Sequence, residues 1–319
     1  MDIDILLWFQ EIRNLLGTAG ELAVHYLSDL LIVSALIVPF VLYWCRDKEE
    51  GRDLLLALGI SMYLNQFLKV TFSVYRPWIR DARIQPSAHA KASATGYSFP
   101  SAHTELTSTV YGGIAIRHKD NRKIVRLCVL LYLVTGLSRL LLGVHTPQDV
   151  LVALLVSMFS LVAAGRVDRF MEQSERNRWI VSGITVVLTL AGILYALLKQ
   201  YPMDYNNGVL IVDPESMIVD AMLCISVFAG LVIGSVLEQK YLTFSTEGTP
   251  AEKTIRFIVG ALGIGVCVII HKILRISVVP VWVWGLVRGL SASMFAMYLY
   301  PLLFTKVHAM LERRKNTAK

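Results

Sequence analysis

The sequence predicts an all-α protein, a polytopic membrane bundle of about nine transmembrane helices. The composition is the first reason, since 55% of the residues are hydrophobic and only 17% are charged, whereas about a quarter of the residues in a soluble domain are charged. The second reason is that the hydrophobic residues occur in blocks of about 20, the length of a helix that crosses a hydrocarbon core of roughly 30 Å. These two features exclude an ordinary soluble domain.

Nine apolar blocks follow one another along the chain. They cover residues 26–45, 54–74, 101–117, 124–142, 147–165, 179–198, 216–237, 255–274 and 281–303. The residues before the first block, 3–17, carry charges in a weakly amphipathic pattern, which predicts a helix lying in the membrane interface. The basic segment 166–178 divides the chain into a catalytic membrane block (1–165) and a C-terminal transmembrane block (179–303), and residues 304–319 form a basic cytoplasmic tail.

The loops between these blocks alternate in charge. Lys and Arg accumulate in the loops around 46–52, 117–126, 166–178 and 240–256 and in the tail. By the positive-inside rule these segments face the cytoplasm, so we expect the N-terminus outside and the C-terminus inside. The net charge of +7 is then a consequence of topology, and nucleic acid is not an expected partner. One outer loop, 75–100, breaks the pattern because it carries Arg76, Arg80, Arg83 and Lys91, which are candidates for binding an anion.

The cysteines give no sign of a metal site or a disulfide framework. Cys45, Cys128, Cys224 and Cys267 each fall within or at the end of a different apolar block, without a CxxC or Cys/His spacing. They are predicted to be free packing residues, and neither a metal nor a cofactor is predicted.

Three polar motifs fall at helix ends that the parity of the spans places on the outer side. The first is Lys69 with Arg76, seven positions apart and therefore expected on one face of a helix that Pro77 ends. Such a pair suits a tetrahedral anion, although both side chains also have the length to reach lipid headgroups. The motif alone leaves both interpretations open.

The second motif is a helix start at Pro100-Ser101-Ala102-His103. Ser101 is a candidate N-cap, the first-turn N–H groups suit a phosphate, and His103 is placed to protonate a leaving oxygen. A capping serine with an interfacial histidine is the simpler alternative. The same tetrapeptide occurs at Pro86 to His89, but it runs into 90–93, which is predicted to be a loop, so we choose His103 over His89.

The third motif runs from Arg139 through His145 to Asp149. Thr146, Pro147 and Asp149 read as a capping box that begins a helix, which explains Asp149 without any chemistry. It does not explain Arg139 or His145. A carboxylate four residues after a histidine can instead orient the imidazole and leave its other nitrogen free to attack.

Taken in order, the motifs resemble those of the type 2 phosphatidic acid phosphatase superfamily: Lys-x6-Arg-Pro, Pro-Ser-Gly-His and Ser-Arg-x5-His-x3-Asp. The resemblance covers about residues 54–165 and implies a six-helix membrane core. It implies that His145 is the nucleophile of a phosphohistidine intermediate, that Asp149 is its partner and that His103 is the general acid. It also implies that the phosphate is bound by Lys69, Arg76, Ser101, Ala102 and Arg139, without a metal. Ala102 departs from the pattern by replacing glycine, which is harmless if its backbone is helical.

The predicted function is hydrolysis of a lipid phosphate or diphosphate at the extracytoplasmic face. Candidate substrates are polyprenyl diphosphates, phosphatidic acid or phosphatidylglycerol phosphate, and sphingoid phosphates. A transporter or flippase for an anionic lipid is the alternative, because charges within a membrane also mark transport pathways. Haloperoxidase chemistry, which the same superfamily includes, is disfavoured by a membrane-embedded pocket.

The charge pattern of the loops generates a labelling prediction. A cysteine introduced into 199–215 should react with a membrane-impermeant thiol reagent added from outside, and a cysteine introduced into 166–178 should not, because only the second loop is rich in cations. The opposite labelling would put the three motifs on the cytoplasmic side and contradict the predicted topology.

Overall fold

The computed structural model describes residues 2–242, 244–273 and 278–317, and almost all of these are helical. The helices are α1 (Asp2–Cys45), α2 (Lys48–Phe72), α3 (Pro77–Arg80), α4 (Ala88–Ser93), α5 (Ala102–Arg117), α6 (Arg122–Leu141), α7 (Pro147–Gln173), α8 (Glu175–Leu198), α9 (Pro214–Tyr241), α10 (Pro250–Ile273), α11 (Val281–Met294) and α12 (Tyr300–Thr317). A π-helical stretch, Phe295–Leu299, joins α11 to α12. The predicted all-α membrane bundle is confirmed.

Eight helical stretches within the described residues are long and apolar enough to cross a membrane. They correspond to eight of the nine predicted blocks. The remaining block is α5, whose 16 residues span only about 24 Å at 1.5 Å per residue. It nevertheless packs among α2, α6 and α7, so it belongs to the bundle despite its length.

The N-terminal helix is broken where the sequence changes from amphipathic to apolar. Gly17 has φ 66° and ψ −177°, which separates the first 15 residues of α1 from the long apolar part. A positive φ of this kind is open to glycine at little cost. The prediction of a separate helix over 3–17 therefore agrees with the structure, since the bend lies at its last residue.

Two helices form the centre of the bundle. α2 packs against α1, α5, α7 and α9, and α9 packs in turn against α8 and α11. Leu56 of α2 and Phe228 of α9 belong to the same buried hydrophobic cluster. Charge also joins α2 to α7, because the buried Arg52 lies 2.8 Å from a carboxylate oxygen of Asp168. The helix that carries Lys69 is thus packed against elements from both halves of the chain.

The π-helical stretch is fixed by aromatic side chains at the end of α1. Tyr43 Oη donates to the carbonyl oxygen of Met297 at 2.8 Å, and Trp44 Nε1 donates to that of Ala296 at 3.0 Å. Both aromatic residues are fully buried. Because a π-helical stretch departs from the i to i+4 pattern, these two bonds satisfy carbonyls there and connect the first helix to the last.

The segment 199–215 contains a small hairpin that the sequence analysis did not predict. Tyr205–Asn206 (β1) pairs antiparallel with Val209–Leu210 (β2). The turn between them is Asn207-Gly208, and both residues have positive φ, 50° and 78°. Asn-Gly is the typical sequence of a two-residue hairpin turn, so the hairpin could have been predicted from the sequence.

Candidate active site

The three sequence motifs line one cavity of about 240 Å³. Lys69, Arg76, Ala102, His103, Arg139 and His145 contribute to its wall, together with Met217, Asp220, Leu223 and Cys224 of α9. Asp149 lies behind His145. The three motifs, which are distant in the sequence, therefore meet, as the parity of the predicted spans implied, and α9 joins them without having been predicted.

His145 sits in the short connection between α6 and α7. Gly143, with φ 71°, turns the chain there, and a Cβ at this position would lie 3.2 Å from the Cα of Pro86. The turn directs the imidazole into the protein, where His145 is only 3% exposed. Its Nε2 lies 3.1 Å from Arg76 Nη1, and Nε2 is thus the nitrogen that faces the cations of the cavity.

The position of Asp149 is compatible with both interpretations that the sequence left open. Its Oδ2 accepts the N–H of Thr146 at 2.7 Å, and its own N–H donates to Thr146 Oγ1 at 3.3 Å, which completes the predicted capping box. The same Oδ2 accepts the hydroxyl of Ser98 at 2.6 Å and lies 3.5 Å from Nδ1 of His145. The last distance is longer than an ordinary N–H···O hydrogen bond, but it puts the carboxylate next to the imidazole.

The surroundings of His145 determine its charge. Burial, and then the positive charge of Arg76, lower the pKa of His145 below its usual value, and the carboxylate of Asp149 only partly opposes this. The imidazole is therefore neutral at neutral pH. Because Arg76 can only donate, Nε2 is the nitrogen without the proton, and Nδ1 directs its N–H towards Asp149.

Two of the cations that line the cavity, Lys69 and Arg76, are held by backbone carbonyls. Lys69 Nζ donates to the carbonyl of Tyr97 at 2.8 Å. Arg76 donates to three carbonyls, those of Thr95 (2.9 Å), Gly96 (3.2 Å) and Val144 (3.0 Å). These bonds fix the guanidinium in position, and among the described residues no carboxylate lies within 4 Å of it.

The structure corrects the reason given for the Lys69–Arg76 pair. α2 ends at Phe72, Ser73 has a left-handed conformation, and Arg76 is extended with φ −61° and ψ 151°. The two residues therefore do not share a helix face. They converge because the chain turns back after Ser73, not because of their spacing of seven.

The other cations of the loop 75–100 lie outside the cavity wall. Arg80 pairs with Asp2 at 2.8 Å and Arg83 pairs with Asp81 at 2.7 Å. Lys91 Nζ lies 5.9 Å from the ring centroid of Trp78. Of the four cations that break the charge pattern, Arg76 is the one that reaches the cavity.

The start of α5 presents its backbone to the cavity, but not the hydroxyl of Ser101. Ser101 is the N-cap, and its Oγ lies 3.0 Å from Thr104 Oγ1 and 3.5 Å from the Thr104 nitrogen. It is fully buried and lies outside the cavity wall. Ala102 and His103 do line the cavity, and a helix leaves such first-turn N–H groups unpaired. Ala102 is the first residue of the helix and does not have positive φ, so replacing glycine causes no strain.

The second Pro-Ser-Ala-His copy has a different environment. Residues 88–93, predicted in part to be a loop, form the short helix α4, and Ser87 does not cap it with its side chain. His89 stacks against His25 of α1 with 5.9 Å between ring centroids. It is absent from the wall of the cavity that contains His103.

Three acidic residues near the site were missed or left open by the sequence analysis. Glu105 is fully buried and accepts hydrogen bonds from Ser61 and Asn65, each at 2.7 Å. Asp29 of α1 lies 3.7 Å from His103. Asp220, for which the sequence leaves open a structural pairing with Arg288 or a role in the substrate pocket, lines the cavity. Each is an ionisable residue inside an apolar block, which is itself a signal of function.

Comparison with known proteins assigns the chain to a class. Residues 50–171 match the PAP2 superfamily, and residues 224–313 match the transmembrane extension of PAP2 superfamily phosphatases. The chain belongs to the PAP2 superfamily and is a multi-pass membrane phosphatase, a hydrolase of phosphoric esters. The predicted resemblance is confirmed, and the second match extends it to the C-terminal helices.

One relative is similar over a large part of its own length. Phosphatidylglycerophosphatase B of Bacillus subtilis is 27% identical over 152 residues, which cover 45% of this chain and 68% of that protein. No solved structure matches the chain significantly.

Proposed function

We propose that the protein hydrolyses a lipid phosphate at the extracytoplasmic face through a phosphohistidine formed on His145. The observation that carries this proposal is the position of the imidazole. Its Nε2 opens onto a cavity lined by cations, 3.1 Å from Arg76, while Asp149 lies beside its other nitrogen at 3.5 Å. A neutral imidazole held in this way is a nucleophile directed at whatever the cations bind.

The cations Lys69, Arg76 and Arg139 bind the phosphate in this proposal, with the first-turn N–H groups of α5. All three line the cavity and are at most 8% exposed, so their charges act on the substrate with little screening. They stabilise the additional charge on the equatorial oxygens in the transition state. An N–H of Arg76 is directed at Nε2 of His145. When this N–H instead donates to a phosphate oxygen, the lone pair on Nε2 becomes free to attack phosphorus.

The reaction then proceeds in two displacements. Nε2 of His145 forms a bond to phosphorus as the bond to the leaving oxygen breaks, and His103 gives its proton to that oxygen. A water molecule then attacks the phosphohistidine, His103 takes the proton of the water, and the P–N electron pair returns to Nε2. Phosphate leaves and both histidines recover their initial states. Asp149 stays ionised and compensates the positive charge that His145 carries while it is phosphorylated.

A lipid is the expected substrate because the cavity is part of a membrane bundle and is small. A volume of about 240 Å³ holds a phosphate and a short polar group, while long hydrocarbon chains remain in the surrounding lipid. The substrate panel comprises phosphatidylglycerol phosphate, phosphatidic acid, a sphingoid phosphate and a polyprenyl diphosphate. The name of the Bacillus relative favours the first of these.

The direct test is phosphate release by the purified protein in detergent, with EDTA present. We expect release from at least one lipid of the panel, inhibition by vanadate, and a loss on the order of 10³-fold or more in His145→Ala. Strict dependence on Mg²⁺ would contradict the proposed role of the three cations. If the protein releases no phosphate but moves an anionic lipid between the leaflets of a vesicle, it is a transporter instead.

The two roles of Asp149 are separated by a pair of substitutions. Asp149→Asn should slow phosphate release by about 10²-fold or more, because it removes the charge beside His145. Thr146→Ala removes the side-chain cap but keeps the backbone N–H that Asp149 accepts, so it should cost about 1 kcal/mol of stability and change the rate little. Turnover and the melting temperature would be measured for both. A normal rate with a lowered melting temperature in Asp149→Asn would mean that Asp149 only caps α7.

A further inference from the structure

α1 brings a carboxylate to the histidine that we propose as the general acid. Oδ1 of Asp29 lies 3.7 Å from Nε2 of His103, whose side chain is 26% exposed. Asp29 lies before residue 50, outside both ranges that match the superfamily. The comparisons therefore assign no role to this contact.

Asp29 also lies close to a second histidine. Its other carboxylate oxygen, Oδ2, lies 3.6 Å from Nε2 of His25, one helical turn earlier on α1. His25 is buried and stacks on His89 of α4 at 5.9 Å between centroids. The carboxylate of Asp29 thus lies between two imidazoles, and the stack of His25 on His89 of α4 limits the movement of the His25 ring.

The positive charges around His103 explain why a carboxylate beside it is favourable. The groups that face it from the neighbouring elements are Lys69 of α2, Arg76 of the following loop, Arg139 of α6 and His145. Three of these are cations, and a fourth positive charge among them is unfavourable. Glu105, on the same helix as His103, accepts hydrogen bonds from Ser61 and Asn65. Asp29 is the carboxylate that lies next to the ring.

We propose that Asp29 is a positioning residue that orients His103 and stabilises its protonated form, with His25 holding the carboxylate in place. The inference rests on the proposed function, because it gives a partner to the proposed general acid. The proton given to the leaving oxygen is the one on His103, and it is replaced from the attacking water. Asp29 remains ionised throughout and neither gains nor loses a proton.

A different role for Asp29 would be to compensate Arg139. Nη1 of Arg139 lies 3.3 Å from the hydroxyl of Ser28, the neighbour of Asp29 on α1. In that case the carboxylate would affect how the phosphate group is bound. The effect would then be the same for every phosphomonoester, because all of them carry the same phosphate group. A partner of the general acid affects only substrates whose leaving oxygen needs a proton.

The test compares Asp29→Asn with the parent protein on two phosphomonoesters. One is a lipid phosphate, whose leaving group is an alkoxide, and the other is p-nitrophenyl phosphate, whose phenolate leaves without a proton. We expect kcat/KM to fall about 10- to 100-fold for the lipid phosphate, within the usual contribution of general acid catalysis, and less than about threefold for the aryl phosphate. An equal loss on both substrates, or no loss on the lipid phosphate, would overturn the inference.

Two controls complete the experiment. Glu21→Gln removes another carboxylate from α1, one that pairs with Arg13 at 3.4 Å, and should leave the ratio between the two substrates unchanged. In a His103→Ala background, Asp29→Asn should cause no further loss on the lipid phosphate, because the group that it assists is gone. A further loss of the full size would overturn the inference. A parent protein inactive on both substrates would instead refute the proposed function, and this inference with it.

Discussion

The hydrogen bonds made by the buried Asp149 are the interactions on which the rest of the candidate site depends. One carboxylate oxygen accepts the N–H of Thr146, which begins α7, and the hydroxyl of Ser98, which belongs to the loop 75–100. The carbonyl of the same residue accepts the N–H of Ser101 at 3.1 Å, which fixes the start of α5. Three segments are therefore joined at one buried residue, and His145 lies between this junction and the cations. A negative charge buried to this extent is stable because its hydrogen bonds replace water.

Much of the site was predictable because its chemistry is local in sequence. The interval from His145 to Asp149 is one helical turn, and the capping residues between them set the direction of the chain, so this pair and its geometry followed from the residues. Arg76 was predicted correctly as a cavity residue but for the wrong reason, since the chain turns at Ser73 and no helix connects it to Lys69. Asp29 was missed because its contact with His103 depends on how α1 packs, which no local pattern encodes.

One of the C-terminal helices, α9, contributes to the wall of the cavity. Met217, Asp220, Leu223 and Cys224 of α9 line the same cavity as Lys69, Arg76 and Arg139, although the sequence divides the chain at 166–178. The division was natural from the loop charges, since none of the three motifs lies beyond it. The packing of α9 on α2 places this wall beside Lys69. The part of the chain without motifs thus shapes the space around the substrate.

The central claim is that phosphorus becomes bonded to Nε2 of His145, and trapping the intermediate tests it most directly. The protein would be mixed briefly with substrate labelled in the phosphate, quenched, and examined for protein-bound label. We expect an acid-labile, alkali-stable phosphoenzyme whose label maps to the peptide containing His145. This phosphoenzyme should be absent from His145→Ala, although that variant remains folded. Label on another residue, or phosphate release at the parent rate by His145→Ala, would contradict it.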